Sequence, residues 1–587
     1  MNKRWNLESI YPSFSSPEFK GDLEKLNDDL ARIKSFGESD FSANPADSIK
    51  KYIFLAEEFQ NILYRLFAFC SLTLSVDTSN PDGMNYKEIL SKKSTLSVVP
   101  FTKFRLWLKD FDDLESLALK DDFIKSRFFH LKEIQTSAKR LFQPEIEDIV
   151  SDMQRTGSSA FSSLQNQLTS NLSVEVEIKG KKETLSLAAA RNLYYDKDSS
   201  LRESVYKSEL ESYDKIKIPS AACLNAIKGE VLMLSKRRGY ASPLEMTLEE
   251  SRMDMETLNS LLDSMKDSLP IFRKYYKHKA KLLRGAEKIP YFDVSAPVGE
   301  VDIRFSYEEA SDYIVNGQTA FSKETADFMR KAFNERWLDV EPRKGKRGGA
   351  FCSTIHSVGQ SRILANFTGS FDNMTTLAHE LGHAYHGYVL KDESILNSDY
   401  PMPLAETASI FSETVVMDYS FKNFSGATLL TLLENDISSS AAVIVDIYSR
   451  YLFETELFKE RDSSILSYQR LNELMAKSQL DSYGDALDER FTHPFMWANK
   501  PHYYYSGSNF YNFPYAFGLL FAKGLYALYK KHPENFLEKY KTILKNTGCN
   551  DIYNVGLSAG IDLHKRKFFD DTIEMISGDI EKFLTMG

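Results

Sequence analysis

One segment of the sequence combines residue types and a spacing that point to metal chemistry. Thr376 to His386 reads T-L-A-H-E-L-G-H-A-Y-H, which places His379 and His383 four residues apart and Glu380 directly after the first. On a helix, residues four apart lie on one face, so both imidazoles can bind one Zn²⁺. Glu380 is rotated to the side, where it can act on a water molecule. Ten histidines in 587 residues would give this pattern by chance in about one chain in a hundred.

A catalytic zinc site needs a third protein ligand. His386 shares the face of His379 but lies two turns away, so we expect it to support the ligands or contact substrate sooner than bind metal. The alternative is a carboxylate from a following helix. After two prolines, Glu406 and Glu413 are seven residues apart on one face of a largely apolar helix. One carboxylate would bind the metal, and the other would support it.

Hydrolysis is the chemistry that such a site performs. Zn²⁺ lowers the pKa of a bound water toward ~7, which makes hydroxide available at neutral pH. Glu380 would take the proton as the water attacks a carbonyl and then deliver it to the leaving nitrogen. The oxyanion needs further donors, and the segment from His493 to Tyr515 is rich in Tyr and His. Such a run is more often core packing, although Ser506-Gly507-Ser508 favours a loop.

The elements that must position these residues are mostly helical. Apolar residues recur at helical spacing at Leu23, Leu26, Leu30 and Ile33, and again from Leu55 to Phe69. Strict alternation from Ser173 to Ile178, followed by Gly180, predicts a short β-hairpin. Helical spacing resumes at about Ala188, so we place a boundary between an N-terminal helical domain, 1–190, and a second domain, 191–587.

A second change of pattern precedes the metal motif. Tyr291 to Phe371 contains prolines and a glycine-rich run, which predicts a non-helical zone with short extended segments such as Ser361 to Phe367. Gly369 to Asn373 then supplies a turn and cap candidates, so a helix is predicted to begin there and to carry the motif.

Composition narrows the class of protein. Hydrophobic residues make up 42% and charged residues 27%, as in globular proteins, and the net charge of −10 indicates no nucleic-acid partner. Four cysteines far apart in sequence form neither a disulfide framework nor a Cys-x-x-Cys pair. The N-terminus lacks the apolar stretch of a signal peptide, and no run of 18 apolar residues occurs. We therefore expect a cytoplasmic protein with no membrane partner.

These motifs resemble the thimet oligopeptidase and oligoendopeptidase F family of HExxH zinc metallopeptidases, and its oligoendopeptidase F branch best. Besides the His-Glu-x-x-His motif, the resemblance rests on Glu406-x-x-Ser409-x-x-x-Glu413, Gly348–Phe351, Ile363–Gly369, Pro501–Tyr503, Phe510–Tyr515 and the N-terminal Trp5–Pro12. It is strongest over residues 345–520.

The resemblance implies a mainly α fold: a large two-lobed helical metallopeptidase with a deep central channel and a small β-sheet beside the zinc helix. It implies one Zn²⁺ per chain, held by His379, His383 and Glu406, with Glu380 as general base.

The resemblance also implies a His and a Tyr that stabilise the transition state. They map to His502 and Tyr515, with Tyr511 as the rival, because Phe513-Pro514 stands where many relatives carry Tyr and a polar residue. A strand such as Ser361–Phe367 would pair with the substrate backbone.

The implied function is a zinc-dependent metalloendopeptidase that cuts internal bonds of short unfolded oligopeptides. One alternative is a metallo-carboxypeptidase of the same fold, in which Lys346 or Arg347 grips a free carboxylate. The other is a non-catalytic helical binding protein with a structural zinc. Glu380 argues against the last, because a structural site has no use for a carboxylate beside its first ligand.

Overall fold

The structure is a computed structural model that describes residues 1–299 and 303–586. The chain forms two compact units, each assembled from three separate segments. Unit 1 comprises Met1–Leu141, Asp302–Ser420 and Leu528–Ile561, and unit 2 comprises Phe142–Val301, Phe421–Ala527 and Asp562–Gly587. Most described residues are helical and the sheets are small, which confirms the predicted mainly α fold class. The predicted boundary at residue 190 divides the chain into two continuous stretches, which is a different kind of division from these units, and it stays a prediction.

All the regular secondary structure in the N-terminal segment of unit 1 is helical. Its helices are α1 (Pro17–Phe36), α2 (Pro45–Val76), α3 (Pro81–Thr95), α4 (Val98–Lys109), α5 (Leu114–Lys120), α6 (Asp122–Lys125) and α7 (Phe128–Ala138). The first three begin alike, since Ser16, Asn44 and Asn80 cap a helix whose first residue is proline. Leu26, Leu30 and Ile33 are buried on α1, so the predicted amphipathic helix is confirmed.

The first segment of unit 2 contains, within its described residues 142–299, seven α-helices and the predicted hairpin. Its elements are α8 (Pro144–Thr156), α9 (Ser158–Ser170), β1 (Ser173–Ile178), β2 (Lys181–Ser186), α10 (Leu187–Asn192), α11 (Ser199–Ser212), α12 (Lys217–Arg237), α13 (Pro243–Glu250) and α14 (Met255–Arg284). β1 and β2 pair antiparallel, with Ile178 opposite Lys181. Lys179 and Gly180 both have positive φ, as a two-residue turn with the twist of a hairpin requires.

The second segment of unit 1 carries the metal motif. It contains α15 (Tyr307–Phe321), α16 (Lys323–Asn334), β3 (Leu338–Asp339), β4 (Phe351–Ile355), β5 (Gln360–Leu364), α17 (Phe371–Val389), α18 (Met402–Ala405) and α19 (Thr407–Asn423). The predicted non-helical zone is therefore wrong over α15 and α16. A capping box starts α15, with the Ser306 hydroxyl accepting from the Glu309 amide and the Glu309 carboxylate accepting from the Ser306 amide.

The sheet of this segment has the strand order β3-β5-β4, so β5 is the middle strand. It pairs parallel with β3 and antiparallel with β4. The prediction that the Ser361–Phe367 strand pairs with substrate is wrong, because β5 has partners on both sides. Among the described residues, the outer edge of β4 has no partner strand.

The remaining elements are helical. They are α20 (Gly426–Ala441), α21 (Ile447–Arg461), α22 (Tyr468–Tyr483), α23 (Met496–Asn499), α24 (Phe513–Lys531), α25 (Phe536–Asn546), α26 (Ile552–Leu557) and α27 (Lys567–Met586). A π-helical turn, Ala442–Asp446, joins α20 to α21. The stretch Gly426–Arg461 is long and apolar enough to cross a membrane by length and composition alone, but 56% of its most apolar window is buried. A core helix passes the same test, so this is weak evidence for a span.

Candidate active site

Helix α17, which carries the His-Glu-x-x-His motif, begins at the predicted cap. The Ser370 hydroxyl accepts a hydrogen bond from the backbone N–H of Asn373 at 3.2 Å. The Asn373 side chain accepts in turn from the N–H of Thr368 at 2.8 Å. Gly369 has φ +96°, a conformation that glycine adopts without strain. The local sequence therefore fixes where the helix starts and which of its faces carries the histidines.

The three side chains that the sequence predicts as metal ligands come together in unit 1. Oε2 of Glu406 lies 3.2 Å from Nε2 of His379 and 3.5 Å from Nε2 of His383. One ligand atom from each of the three residues lies within 4.8 Å of the others. All three side chains are 22–31% exposed, so the site is partly shielded yet reachable from solvent. Two imidazole nitrogens and one carboxylate oxygen form the donor set of many catalytic zinc sites.

Glu413 lies behind the cluster. Its Oε2 is 3.3 Å from Nδ1 of His379, so the outer nitrogen of that ring faces a carboxylate while Nε2 faces Glu406. A carboxylate in this place orients a metal-binding imidazole and increases its basicity. Both carboxylates therefore lie at His379, and the assignment of Glu406 as ligand and Glu413 as support stays a prediction.

The electrostatics of the cluster favour a cation. Burial lowers the pKa of His379, but hydrogen bonds to Glu406 and Glu413 outweigh it and raise the pKa to about 10. Burial lowers the pKa of His383 to about 4, so that ring is neutral and offers a lone pair. Burial raises the pKa of Glu406, but its contacts with the two histidines bring it down to about 2. The residues present fit a divalent metal ion, which would replace the proton that His379 otherwise holds.

Glu406 is placed by a close approach of α19 to α17. It follows the last residue of α18, and its carboxylate accepts a hydrogen bond from the Ser409 hydroxyl at 2.7 Å. A Cβ atom on Gly382 would lie 2.4 Å from the carbonyl oxygen of Ala408, so only glycine permits this contact. The Ser412 hydroxyl donates to the carbonyl of Ala378 at 2.6 Å and joins the same two helices.

The sequence prediction missed Gly382 and Ser412. The signal was a glycine inside a helix, which costs about 1 kcal/mol relative to alanine and therefore indicates a packing reason.

Glu380 is 7% exposed and lies beside the cluster. Burial raises its pKa to about 7, with the charge of His379 acting in the opposite direction. Burial and then the charge of Glu380 raise the pKa of the Cys352 thiol, which places this carboxylate near β4. A carboxylate with a pKa near neutrality is suited to accept and release a proton.

His386 does not join the cluster. Its ring is fully buried, stacks on Tyr400 with centroids 4.2 Å apart, and has Nε2 2.9 Å from the Thr547 hydroxyl. Burial lowers its pKa to about 3, so the ring is neutral. The predicted substrate contact is wrong for His386, because no substrate reaches a fully buried ring. Its role is to pack α17 against the C-terminal segment of unit 1.

His502, Tyr511 and Tyr515 lie together in unit 2. The ring centroids of His502 and Tyr511 are 5.0 Å apart, and those of Tyr511 and Tyr515 are 5.5 Å apart. All three side chains are half-buried. Burial, and then the positive charges of Arg450 and Lys500, lower the pKa of His502, so its ring is neutral.

The neighbouring Tyr503 and Tyr504 are buried core residues. The Tyr-rich segment therefore contains both core residues and partly exposed ones.

Comparison with known proteins decides the family. The family model described as peptidase family M3 matches residues 192–575, well over half of the chain. The chain belongs to peptidase family M3. It is therefore a peptidase, a hydrolase, and the resemblance seen in its motifs is confirmed.

Relatives of this family M3 peptidase match over nearly its whole length. Oligopeptidase PepF of Bacillus subtilis is 22% identical, over 95% of this chain and 83% of the relative. An oligoendopeptidase F homolog of Lactococcus lactis is 23% identical, over 99% of this chain and 97% of the relative. Among solved structures, oligoendopeptidase-F of Enterococcus faecium has a TM-score of 0.70 at 19% identity, over 97% of this chain and 98% of that one. A crystal structure of a protein from Chlamydophila abortus has a TM-score of 0.86 at 21% identity, over 100% of this chain and 98% of that one.

Lys346, one of the two residues considered for binding the C-terminal carboxylate of a peptide, already has partners within the protein. Nζ of Lys346 is fully buried, lies 2.8 Å from Oδ1 of Asp339 and donates to the carbonyl oxygens of Asp339, Glu341 and Ala365. Lys346 is therefore committed to the protein and cannot bind the end of a peptide. The carboxypeptidase alternative would have to rest on Arg347, which is exposed.

Proposed function

We propose that this family M3 peptidase is a zinc-dependent metalloendopeptidase that hydrolyses internal bonds of short unfolded oligopeptides. The observation that carries the proposal is the convergence of His379, His383 and Glu406, with the buried carboxylate of Glu380 beside them. The oligopeptidase and oligoendopeptidase F names of its relatives support the substrate class.

One Zn²⁺ per chain would be held by Nε2 of His379, Nε2 of His383 and the carboxylate of Glu406. When bound, the ion supplies Lewis acidity, which lowers the pKa of water toward ~7 and polarises a peptide carbonyl. Glu413 fixes the ring of His379, and Ser409 holds the carboxylate of Glu406. These contacts would orient two of the three ligand side chains, His379 and Glu406, for the ion.

Glu380 would act as the general base. Its ionised carboxylate accepts a proton from the attacking water and passes it to the leaving nitrogen, and the burial of Glu380 keeps its pKa high enough for both steps. His502 and either Tyr515 or Tyr511 would donate hydrogen bonds to the oxyanion, a role that a neutral imidazole and a phenol can fill.

The outer edge of β4 is the place we propose for the substrate backbone. β4 packs against α17, the helix of the two histidines, and its outer edge is unpaired within the described residues. A peptide can add to a free edge only in an extended conformation. This requirement favours short unfolded chains over folded proteins.

Two broader proposals accompany this function. The chain would comprise an N-terminal helical domain, 1–190, and a catalytic domain, 191–587, and the family match from 192 to 575 supports this division. We also propose a cytoplasmic location, with peptides as the partners of the protein.

The test is a peptide-library digest analysed by mass spectrometry. We expect cleavage of internal bonds, loss of cleavage with a chelator, and recovery when Zn²⁺ is added back. A peptide with an amidated C-terminus should be cut at the same bond as its free counterpart. Undiminished cleavage by metal-free protein would contradict the zinc proposal, and stepwise loss of residues from free C-termini alone would favour the carboxypeptidase alternative.

A further inference from the structure

A buried ion pair in unit 2 joins two helices. Nζ of Lys228 on α12 lies 2.9 Å from Oε1 of Glu454 on α21. Lys228 is 0% exposed and Glu454 is 2% exposed. Removing two charges from water is costly, and a buried pair is by itself weak evidence of stabilisation. We therefore expect this ion pair to have a role other than joining α12 to α21.

Each member of the pair makes a second bond to the same turn. Nζ of Lys228 also donates to Oδ1 of Asn509 at 2.9 Å, and Oε2 of Glu454 accepts from Nδ2 of Asn512 at 3.1 Å. Asn509 and Asn512 are 1% and 2% exposed. The two asparagines flank Phe510 and Tyr511, so the ion pair grips both ends of a four-residue turn, Asn509–Asn512.

The backbone of this turn is strained. Phe510 has φ +49°, which bulky side chains rarely adopt, and the N–H of Asn512 donates to its carbonyl oxygen at 2.7 Å. A strained residue persists only when its surroundings over-determine it. Here the Phe510 ring stacks on Phe458, and the Thr247 hydroxyl donates to the carbonyl of Asn509 at 3.0 Å. The ion pair adds two further contacts, one at each end of the turn.

The strained turn determines where Tyr511 points. Phe510 is directed into the core and is 3% exposed, so the next side chain, Tyr511, is directed out of it and lies against His502 and Tyr515. Asn512 also ends the turn and starts α24, since its Oδ1 accepts from the N–H of Phe513 at 2.6 Å. Tyr511 and the first turn of α24, which carries Tyr515, are thus fixed through one residue.

We propose that the Lys228–Glu454 ion pair is a positioning device, which locks the Asn509–Asn512 turn and thereby holds Tyr511 against His502 and Tyr515. Its catalytic consequence rests on the proposed function, in which these aromatic residues stabilise the oxyanion. Its structural consequence does not, because the mobility of Tyr511 can be measured without any substrate.

The same unit offers a matched control. Nζ of Lys279 lies 2.7 Å from Oε1 of Glu434, and the two residues are 0% and 1% exposed. Their other partners are Tyr275 and the carbonyl of Val294, neither of which belongs to the Asn509–Asn512 turn. Removal of either lysine leaves a buried carboxylate without its cation, but only the removal of Lys228 takes away a contact with the turn.

The experiment compares Lys228→Met, Lys279→Met and the double variant Lys228→Met/Glu454→Leu in the zinc-loaded full-length protein. For the double variant we expect a Tm near that of the wild type, because it leaves no unpaired charge. The two single lysine variants should lose similar amounts of Tm. Peptide turnover should fall by about 10- to 100-fold in kcat, with little change in KM, in both Lys228 variants. Both variants lose the bond from Lys228 to Asn509, and the double variant also loses the bond from Glu454 to Asn512. Lys279→Met should keep kcat within about threefold, since Lys228 and Glu454 still hold the turn in this variant.

The second readout is ¹⁹F NMR of protein with 3-fluorotyrosine in place of Tyr511. We expect the signal to shift or broaden in both Lys228 variants and to stay unchanged in Lys279→Met. The positioning role would be overturned if the ¹⁹F signal of the double variant stayed unchanged. It would also be overturned if the double variant had both the kcat and the Tm of the wild type. If the wild type cleaves no peptide, the proposed function fails, and the ¹⁹F comparison still decides whether the ion pair fixes Tyr511.

Discussion

Gly382 touches the backbone at Ala408 so closely that a Cβ atom would lie 2.4 Å from its carbonyl oxygen. The same atom would lie 2.6 Å from Cα of Ser409. Both contacts are with backbone, which cannot rotate away as a flexible side chain can. Because Glu406 precedes Ala408 by two residues, the distance between this carboxylate and the two histidines depends on a glycine that has no side chain.

Gly382→Ala is expected to weaken metal binding. The added methyl group pushes α19 away from α17, which separates Glu406 from the histidines and costs about 1–3 kcal/mol of stability through overpacking. Zinc content after dialysis and Tm are the measurements. Gly21→Ala on α1 is the control, because nothing lies within 4 Å of its added methyl and helix propensity should stabilise it by about 1 kcal/mol. Full zinc retention in Gly382→Ala would show that this contact does not set the site.

Glu380→Gln should separate catalysis from metal binding. The amide has the shape of the carboxylate but cannot accept a proton at neutral pH, so kcat is expected to fall by about 10²- to 10⁴-fold. Zinc content should stay at the wild-type level, because Glu380 is not among the three clustered ligand residues. Initial rates on a fluorogenic peptide, with metal analysis of the same sample, provide the check. Wild-type rates would refute the base role.

Glu406→Ala and Glu413→Ala should differ in severity. Loss of Glu406 removes the oxygen that lies 3.2 and 3.5 Å from the two imidazole nitrogens, so the protein should be isolated without stoichiometric zinc. Loss of Glu413 removes only the partner of Nδ1 of His379, and we expect roughly 10- to 100-fold weaker zinc binding. Competition with a chromogenic chelator measures both affinities. Greater zinc loss from Glu413→Ala would reverse the two roles.

The pH profile of kcat/KM should have an acidic limb that reports the protonation of Glu380. The base must be ionised, so kcat/KM falls as pH drops through its pKa. Burial places this pKa at about 7 in the protein without metal, and a nearby dication lowers it, so the limb is expected at pH 7 or below. The residual rate of Glu380→Gln should lack the limb. A wild-type profile that rises steadily as pH falls to 5 would contradict the assignment.

Lys500 should react with an acylating reagent near neutral pH faster than Lys288 does. Its ammonium group is half-buried and has no hydrogen bond or ion pair with the described residues, and burial and then the charge of Arg450 lower its pKa to about 7. At pH 8 the amine is mostly neutral and nucleophilic. Lys288 is the control, since its bond to Glu489 raises its pKa. Brief treatment with acetic anhydride and peptide mapping should show faster acetylation of Lys500, and equal rates would contradict the lowered pKa.

The parts of the fold and site that the sequence predicted are those determined by residues close in sequence. The β1–β2 hairpin follows from alternation and a turn at Lys179-Gly180, and the start of α17 follows from Ser370 and its neighbours. The ligand cluster follows from helical spacing and from a resemblance that the family match confirmed. The signals for the hairpin and for the start of α17 lie within a few residues of the feature that each predicts, whereas Glu406 lies 23 residues beyond His383 and was assigned as a ligand from the resemblance.

The errors concern contacts between residues far apart in sequence. The central position of β5 depends on β3, more than twenty residues earlier, which the pattern of β5 cannot report. His386 has helical spacing relative to His379, but its partner Thr547 lies 161 residues away, so burial excluded the predicted substrate contact. The helices α15 and α16 were missed because prolines and glycines on either side obscured the capping box at Ser306.

The assembly of unit 1 from three separate segments affects its synthesis. A ribosome makes α17 long before it makes Leu528–Ile561, the segment that contains Thr547, the partner of His386. α17 therefore lacks part of its packing until Leu528–Ile561 has emerged as well. We expect a growing chain to be proteolytically silent, so a cell that makes this enzyme is spared cleavage by its unfinished copies.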